Sequence, residues 1–187
     1  MNINVIAENI ARIITENDSR IIAIDGRCAS GKTTLSKKLQ EIIPCNIIHM
    51  DHFFLRPEQR TVERLNTAGE NVDHERFLSE VLIPLKNNTN ISYRPFDCKT
   101  MSFGNLIKLD NKKINIIEGS YSCHNALYDY YDLRIFLSVS KEEQMKRILL
   151  RDGIEKAKIF ETKWIPLEEN YFSTFCIKDK CDYSFCT

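Results

Sequence analysis

Apolar residues near the start of the chain recur every three or four positions, which is the spacing of one helix face. Charged residues such as Glu8, Arg12 and Glu16 occupy the positions between them. The pattern predicts an amphipathic helix that ends near Asn17 and Asp18 and packs on the body of the protein. Its apolar face consists of Ile3, Ile6, Ile10, Ile13 and Ile14.

Short continuous runs rich in β-branched residues follow, a pattern typical of strands buried on both faces. They alternate with helical patterns, so we expect right-handed crossovers and an α/β fold. The predicted architecture is a three-layer α/β/α arrangement around a five-stranded parallel sheet, with strands at 20–25, 46–50, 114–119, 133–138 and 182–185. Helices are predicted at 32–42, from a cap at Asp73 to 82, from a capping box at Ser140 to 152, and at 155–175 with a bend at Pro166.

Two stretches fit neither period. Residues 53–72 mix Pro57, charged positions and Gly69, so we interpret this stretch as irregular and surface-exposed. The segment 91–108 carries only weak strand signals. Such segments often form substrate loops, and we therefore treat residues 53–108 as an insert between the second and third strands of the sheet.

Length and charge narrow the class of protein. The 187 residues, 43% of them hydrophobic, suit a single domain that spans 1–187. The 26 basic and 26 acidic residues cancel, which gives no sign of a nucleic-acid partner or of an anionic membrane surface. No apolar run reaches the ~18 residues that span a bilayer and no signal-peptide pattern is present, so we expect a cytoplasmic protein. The oligomeric state stays open.

The seven cysteines are an odd number without any Cys-x-x-Cys pair. This spacing favours thiols packed as small hydrophobic groups over a zinc site or a disulfide framework.

The glycine-bearing turn after the first strand carries the strongest motif. Residues 26–33 match the Walker A pattern G-x-x-x-x-G-K-[ST]. The glycines let backbone N–H groups face a β-phosphate, and the following helix adds its positive end. We expect Lys32 to bridge the β- and γ-phosphates of ATP, Thr33 to bind Mg²⁺ and Thr34 to reach the α-phosphate, whereas a glycine turn without nucleotide is the alternative. The predicted nucleotide-binding residues are Gly26, Arg27, Cys28, Ala29, Ser30, Gly31, Lys32, Thr33 and Thr34.

Motifs outside the glycine-bearing turn favour a kinase over a GTPase. A guanine-reading Asn-Lys-x-Asp motif is absent, because residues 111–114 read Asn-Lys-Lys-Ile. Asp51 follows the second strand directly and emerges at the edge that also carries Gly26 and Glu118. An acid in that position can accept the proton of an acceptor hydroxyl, and a helix cap or a surface acid is the alternative.

The order and spacing of several segments make the chain resemble the uridine kinase family, within the wider group of P-loop nucleoside and metabolite kinases. The resemblance covers nearly the whole chain after Arg20. It implies a single kinase domain, Mg-ATP as the phosphate donor and a small hydroxylated molecule as the acceptor. The segments that carry it are 22–34, 50–54, 71–73 with Phe77, 93–97, 117–119 and 147–152.

By that resemblance Asp51 is the catalytic base toward a 5′-hydroxyl, and Glu118 holds Mg²⁺ directly or through water. Arg147 and Arg151 share a helix face, and the resemblance implies that these arginines cover the transferring phosphoryl group, with a lid region at about 151–165. A solvated loop acid and a solvated cationic face are the alternatives for these residues.

The resemblance also assigns an acceptor pocket. Its predicted residues are Asp51, Phe54, Asp73, Tyr93, Arg94 and Asp97, and the aromatic members among them would fit equally well as core residues.

The chain departs from the family pattern at two places. The acceptor loop reads Tyr93-Arg-Pro-Phe-Asp97 instead of Tyr-Asp-Phe, and the lid lacks an Arg-Gly pair after Asp152, which leaves Lys156 and Lys158 as substitutes. Three functions remain open. They are a uridine or cytidine kinase, a kinase of another alcohol such as nicotinamide riboside or a pantothenate-like molecule, and a nucleotide-binding regulator without turnover.

Overall fold

The computed structural model describes residues 2–187, and nine strands form one large and two small sheets. The large sheet has the order β2-β7-β1-β8-β9, with every neighbouring pair parallel, which confirms the predicted α/β fold. The short strands pair as β3 with β6 and β4 with β5 inside the insert. The strands are β1 Ile21–Gly26, β2 Cys45–His49, β3 Ser92–Tyr93, β4 Phe96–Asp97, β5 Ser102–Phe103, β6 Ile107–Lys108, β7 Ile114–Glu118, β8 Leu133–Ser138 and β9 Tyr183–Cys186.

Helices cover both faces of the large sheet and pack into two cores. Ile10, Ile24 and Leu35 represent the core on the side of the first two helices. Phe77 and Tyr171 represent the core on the opposite side. The helices are α1 Ile3–Glu16, α2 Lys32–Ile42, α3 Val62–Asn66, α4 His74–Phe77, α5 Ile83–Lys86, α6 Lys141–Ile159, α7 Ile165–Thr174 and α8 Ile177–Lys180.

The register of the parallel strands brings three predicted site residues to one edge. His49 of β2 lies opposite Glu118 of β7, and Glu118 lies opposite Ile24 of β1. Asp51 follows β2 in a short 3₁₀ turn, Met50–Phe53, and Gly26 ends β1. The carboxyl ends of parallel strands meet at one edge, which is where ligands bind in such folds.

The insert is more ordered and more buried than the sequence pattern indicates. Residues 53–72 were expected to be irregular and exposed, yet they contain α3, and Phe53, Leu55 and Val72 are at most 1% exposed. Phe53 and Val72 pack in the same core as Ile48 and Ile117 of the sheet. Charged residues and Pro57 separate these two positions along the chain, so no local period reveals that both are buried.

The long helical region after β8 bends at Gly153 and widens before Pro166. Gly153 lies within α6 at φ 81°, and the turn Phe160–Trp164 is a π-helix. A second π turn, Leu78–Leu82, precedes Pro84 in the same way. A proline cannot donate to the preceding helical turn, so the wider turn accommodates it.

None of the described helices is both long and apolar enough to cross a membrane.

Candidate active site

A cavity of about 1160 Å³ opens at the carboxyl edge of the large sheet. The glycine-bearing loop and the start of α2 form one wall, the insert forms a second, and the region from α6 to α7 forms a third. Asp51, Lys32 and Glu118 all line this cavity. The edge predicted from strand order is therefore a concave site of a size suited to small molecules.

The loop between β1 and α2 has the backbone shape of a phosphate cradle. Ala29 and Gly31 adopt positive φ values of 58° and 94°, and α2 begins at Lys32. The first-turn amides of a helix have no partner within the helix, so they attract anions. The Lys32 ammonium is buried and donates to the carbonyl oxygens of Gly26 and Arg27 at 2.6 and 2.8 Å.

Two buried side chains from the later helices hold this loop. The Glu168 carboxylate of α7 accepts from the amide of Cys28 at 2.9 Å and from the Ser120 hydroxyl at 2.6 Å. The Gln144 amide of α6 donates to the Cys28 carbonyl at 3.0 Å. Burial raises the pKa of the Cys28 thiol to about 12, so this cysteine serves as a packed, neutral group.

Asp25 connects the loop after β1 to the loop after β7. Its fully buried carboxylate accepts from the amides of Gly26, Tyr121 and Cys123 and from the Tyr171 hydroxyl, at distances of 2.6 to 3.2 Å. Burial raises the pKa of Asp25 to about 6, against the opposing effect of these donors. Asp25 does not line the cavity, so its contacts brace the site.

An oxygen-rich corner lies between α2 and β7. The Thr33 hydroxyl is 3.1 and 3.2 Å from the two oxygens of the Glu118 carboxylate. His49 Nδ1 is 2.5 Å from Glu118, and this hydrogen bond raises the pKa of His49. Oxygen donors of this kind suit Mg²⁺, so Thr33 and Glu118 fit the metal-holding pair inferred from the sequence.

Asp51 presents its carboxylate to the cavity. The side chain is exposed there, yet surrounding protein atoms remove enough water to raise the pKa of Asp51, and the nearby Glu118 charge adds to the effect. A carboxylate with a raised pKa is a better proton acceptor than an ordinary surface aspartate. The geometry therefore fits the predicted base.

Arg147 and Arg151 both line the cavity, as the lid interpretation requires. Arg147 is fixed, because it pairs with Glu143 at 2.9 Å and donates to the Ala29 carbonyl at 3.2 Å. Arg151 is exposed and pairs with the adjacent Asp152 at 2.8 Å. Arg151 lies two residues before Gly153, where the backbone of α6 departs from helical geometry.

The lysines suggested as lid substitutes lie elsewhere. Lys156 and Lys158 are exposed and do not line the cavity, whereas Lys163 and Trp164 of the π turn do. The Lys163 ammonium lies 4.7 Å from the Trp164 ring. The bend at Gly153 and the π turn place residue 163 toward the cavity, which sequence spacing along a regular helix does not reveal.

Of the predicted acceptor residues, Asp51 and Phe54 line the cavity, and Asp73, Tyr93, Arg94 and Asp97 do not. Asp73 caps α4 by accepting from the Arg76 amide, as its position before a helix predicts. Tyr93 is 2% exposed and contacts His52 at 3.1 Å, and burial raises the pKa of Tyr93 to about 12.

The two other members shape the loop between β3 and β5. Arg94 donates to the Gly104 carbonyl at 3.2 Å, and the Asp97 carboxylate accepts from the Lys99 amide at 2.7 Å. Cys98, the next residue, does line the cavity.

A profile of the Phosphoribulokinase / Uridine kinase family matches residues 21–162. The chain belongs to this family. The match includes the phosphate loop, the insert, both arginines of α6 and most of the lid region. The protein is accordingly a phosphotransferase with an alcohol group as acceptor.

Individual relatives agree with this assignment. A uridine kinase of Ureaplasma parvum serovar 3 is 27% identical over 158 residues, which cover 77% of this chain and 75% of the relative. A uridine kinase of Chlamydia pneumoniae is 30% identical over 149 residues, covering 73% and 65%. The structure of a possible uridine kinase from Bacillus stearothermophilus has a TM-score of 0.72 at 19% identity, covers 96% of each chain and shows the shared fold.

Several cavity residues of this family member have no place in the sequence-based assignment. Glu168 lies three residues before Tyr171 and four before Phe172 on the buried face of α7, and an acid at such a position is a signal that sequence reading could have used. Asn71 and Tyr121 line the cavity from the insert and from the loop after β7. Arg60 and Cys98 also line it and carry no recognisable motif.

A cluster of Glu70, His74 and His124 lies outside this cavity, with its potential metal-binding atoms within 4.8 Å of one another. The Ala126 amide donates to Nδ1 of His124 at 3.2 Å, so the ring proton lies on Nε2, the atom that faces Glu70 at 3.6 Å. A protonated nitrogen cannot ligate a metal. Arg64 pairs with Glu70 at 3.2 Å, so the Glu70 carboxylate already has a cationic partner.

Proposed function

We propose that this protein transfers the γ-phosphoryl group of Mg-ATP to a hydroxyl group of a small metabolite. The observation that carries the proposal is the shared cavity, which Asp51, the phosphate loop and the Thr33–Glu118 pair all line. A protein that only bound nucleotide would need no such acid on the acceptor side.

The residues divide the reaction between them. The amides that begin α2 and the Lys32 ammonium hold the phosphates, and Thr33 with Glu118 would hold Mg²⁺, which neutralises phosphate charge. Asp51 would orient the acceptor hydroxyl and take its proton as the acceptor oxygen bonds to the γ-phosphorus, while the bond from that phosphorus to the β,γ-bridging oxygen breaks and ADP leaves. Arg147 and Arg151 stabilise the negative charge that develops on the transferring phosphoryl group.

We assign residues 151–165 to a lid and residues 53–108 to the acceptor side of a single domain. The break in α6 at Gly153 supports the lid assignment. No other atom lies within 4 Å of the place that a Cβ on residue 153 would occupy, so nothing packs against the helix at this point. The cavity lining of Phe54, Leu55 and Cys98 supports the second.

The first candidate acceptor is the 5′-hydroxyl of uridine or cytidine, since the relatives with which this chain aligns over most of its length are uridine kinases. The second is another alcohol, such as nicotinamide riboside or a pantothenate-like molecule. The position of Tyr93, Arg94 and Asp97 outside the cavity favours a changed acceptor pocket.

We also propose a cytoplasmic location. The support is the cysteine pattern of the sequence, because seven cysteines, an odd number without any Cys-x-x-Cys pair, do not form the paired framework of a secreted domain.

A coupled ADP-release assay with Mg-ATP tests the function against uridine, cytidine, nicotinamide riboside, pantothenate and simple sugars. Acceptor-dependent ADP release with at least one compound is the expected result. Tight nucleotide binding without release in any mixture would favour a regulator that lacks turnover.

A further inference from the structure

Five cationic side chains line the cavity, and four of them lie beside the nucleotide and lid elements. Lys32 and Arg147 contact carbonyl groups of the phosphate loop, and Arg151 and Lys163 belong to the proposed lid. Arg60 is different, because it comes from the insert that forms the acceptor wall.

The contacts of Arg60 fix its position without neutralising its charge. Nε donates to the Leu55 carbonyl at 2.9 Å, and one terminal nitrogen contacts the Cys98 sulfur at 3.4 Å. No carboxylate of residues 2–187 pairs with Arg60 within 4.0 Å. An oriented, exposed guanidinium with unused N–H donors is suited to a ligand that brings acceptor oxygens.

Neighbouring arginines of the insert do not share this property. Arg56 pairs with Glu58 at 3.1 Å, Arg64 with Glu75 at 2.6 Å, and Arg76 with Glu80 at 3.1 Å. Arg94 also has no carboxylate partner within 4.0 Å among residues 2–187, but it lies outside the cavity. Arg60 is therefore the unpaired arginine of the insert that lines the cavity.

The other contributions of the insert to the cavity are uncharged. Phe54, Leu55 and Leu65 are apolar, Asn71 offers an amide and Cys98 a thiol. This wall suits a molecule with a mainly apolar body and a single charged end. The forked guanidinium of an arginine matches a carboxylate or phosphate in shape and charge. A neutral nucleobase has no charge that pairs with the guanidinium.

We propose that Arg60 binds a carboxylate or phosphate group on the acceptor, so that the preferred substrate is an anionic alcohol. The proposal rests on the proposed kinase function and narrows its acceptor class, favouring the second candidate over uridine. The hydroxyl to be phosphorylated lies at Asp51, and the anionic group lies at Arg60.

Two matched pairs of acceptors provide the test. Pantothenate and its alcohol analogue panthenol differ only in a carboxylate, and ribose 5-phosphate and ribose differ only in a phosphate. We expect the wild-type protein to favour the anionic member of at least one pair by about tenfold or more in kcat/KM, the range of a charge-assisted hydrogen-bonded pair. Equal values within both pairs, or turnover of uridine with neither anionic compound used, would overturn the proposal.

Two variants assign the preference to Arg60. The Arg60→Gln protein should lose most of the preference, because its kcat/KM falls for the anionic member and stays the same for the neutral one. The Arg60→Lys protein should retain part of the preference, because lysine keeps the charge without the forked geometry of the guanidinium. Lys99→Gln is the matched control, since Lys99 is exposed in the adjacent turn and does not line the cavity. An equal effect of Lys99→Gln would show a general charge effect and contradict the assignment.

Calorimetry separates this proposal from the function on which it rests. The same four compounds are titrated into wild-type protein saturated with Mg-ADP. Selective binding of an anionic member, lost in Arg60→Gln, without ADP release in the kinase assay would support the anion subsite and count against the kinase function. Binding by neither anionic compound would count against the subsite itself.

Discussion

Asp25 and Asp51 are two aspartates with different surroundings at the ends of β1 and β2, which β7 separates in the sheet. Asp25 is buried and receives hydrogen bonds from three amides and a tyrosine hydroxyl, whereas Asp51 is exposed in the cavity. Both follow or end a buried strand in the sequence, so their position was predictable. Their difference in exposure depends on the loop after β7, which approaches only in the folded chain.

His124 gives a prediction for stability against acid. Burial and the neighbouring His74 lower the pKa of His124 to about 4, below the value of ~6.5 in an unfolded chain. The native state binds fewer protons between these pH values, so the free energy of unfolding falls as the pH drops from 6.5 toward 4, by up to about 3 kcal/mol. In the His124→Gln protein this loss should be smaller.

Urea unfolding of the wild-type and His124→Gln proteins at pH 7 and pH 4.5 measures how much stability each protein loses in acid. Burial raises the pKa of Asp25 to about 6, so its stabilising contribution is present at low pH and is lost as the pH rises through that value. The effect of Asp25 is opposite in sign to that of His124, and it is the same in the wild-type and His124→Gln proteins. An unchanged pH dependence in His124→Gln would contradict the assignment.

At the scale of elements, α7 matters to the phosphate loop more than its distance in sequence indicates. Glu168 joins α7 to the loop amide of Cys28 and to Ser120, and it is only 6% exposed. The following Glu169 pairs with Arg27 at 2.5 Å, but both of these side chains are about one third exposed. The two adjacent acids therefore form a matched pair for mutation.

The Glu168→Gln variant should weaken Mg-ADP binding by about tenfold and lower the free energy of unfolding by about 1–3 kcal/mol. A glutamine amide would direct an N–H group at one of the donors that now bond to the carboxylate, which leaves buried groups unsatisfied. The Glu169→Gln variant should change stability by less than about 1 kcal/mol, because exposed ion pairs contribute little. Calorimetry gives the affinity for Mg-ADP, and denaturant titration gives the free energy of unfolding. Indistinguishable nucleotide affinities for the two variants would show that Glu168 does not support the loop.

Periodicity predicted most elements of the sheet and its helices, because buried parallel strands and amphipathic helices leave strong patterns. The helix at Lys32–Ile42 and the strand at Leu133–Ser138 have the predicted bounds. The four short strands of the insert, each two residues long, escaped because two residues carry no period. The helix bend was expected at Pro166, and the structure instead has a π turn before it and a break at Gly153.

On the scale of the whole molecule, the sheet separates two cores, and α1 completes the one behind the phosphate loop. Ile10 of α1 is fully buried among residues of α2 and β1, whereas Val5 on the same helix is 46% exposed. The sequence-based expectation that this helix packs on the body of the protein is confirmed.

The Ile10→Ala change should lower the free energy of unfolding by about 2–4 kcal/mol, because it leaves a cavity in a closely packed core. Val5→Ala should change it by less than about 0.5 kcal/mol. Because Ile10 lies outside the cavity, kcat should stay unchanged at a temperature where the variant is folded. Thermal unfolding and the kinase assay test both statements. A small effect at Ile10 would indicate that α1 is not part of the core.

The architecture and the position of the site follow from patterns distributed along the chain, but the acceptor wall does not. Its members Leu65, Asn71 and Cys98 belong to different segments of the insert, and the folds of those segments bring them together. Such tertiary placement also excluded Tyr93 and Arg94 from the cavity, although their sequence position suggested a pocket role.

The most direct test of the kinase account compares wild-type and Asp51→Asn proteins in acceptor-dependent ADP release and in Mg-ADP binding. Loss of the proton acceptor should lower kcat by about 10²–10⁴-fold. The phosphate loop should bind nucleotide with nearly unchanged affinity, because the hydrogen bonds that hold the loop do not involve Asp51. Retention of full turnover in Asp51→Asn, or an equal loss of turnover and nucleotide binding, would contradict the role of Asp51 as the base.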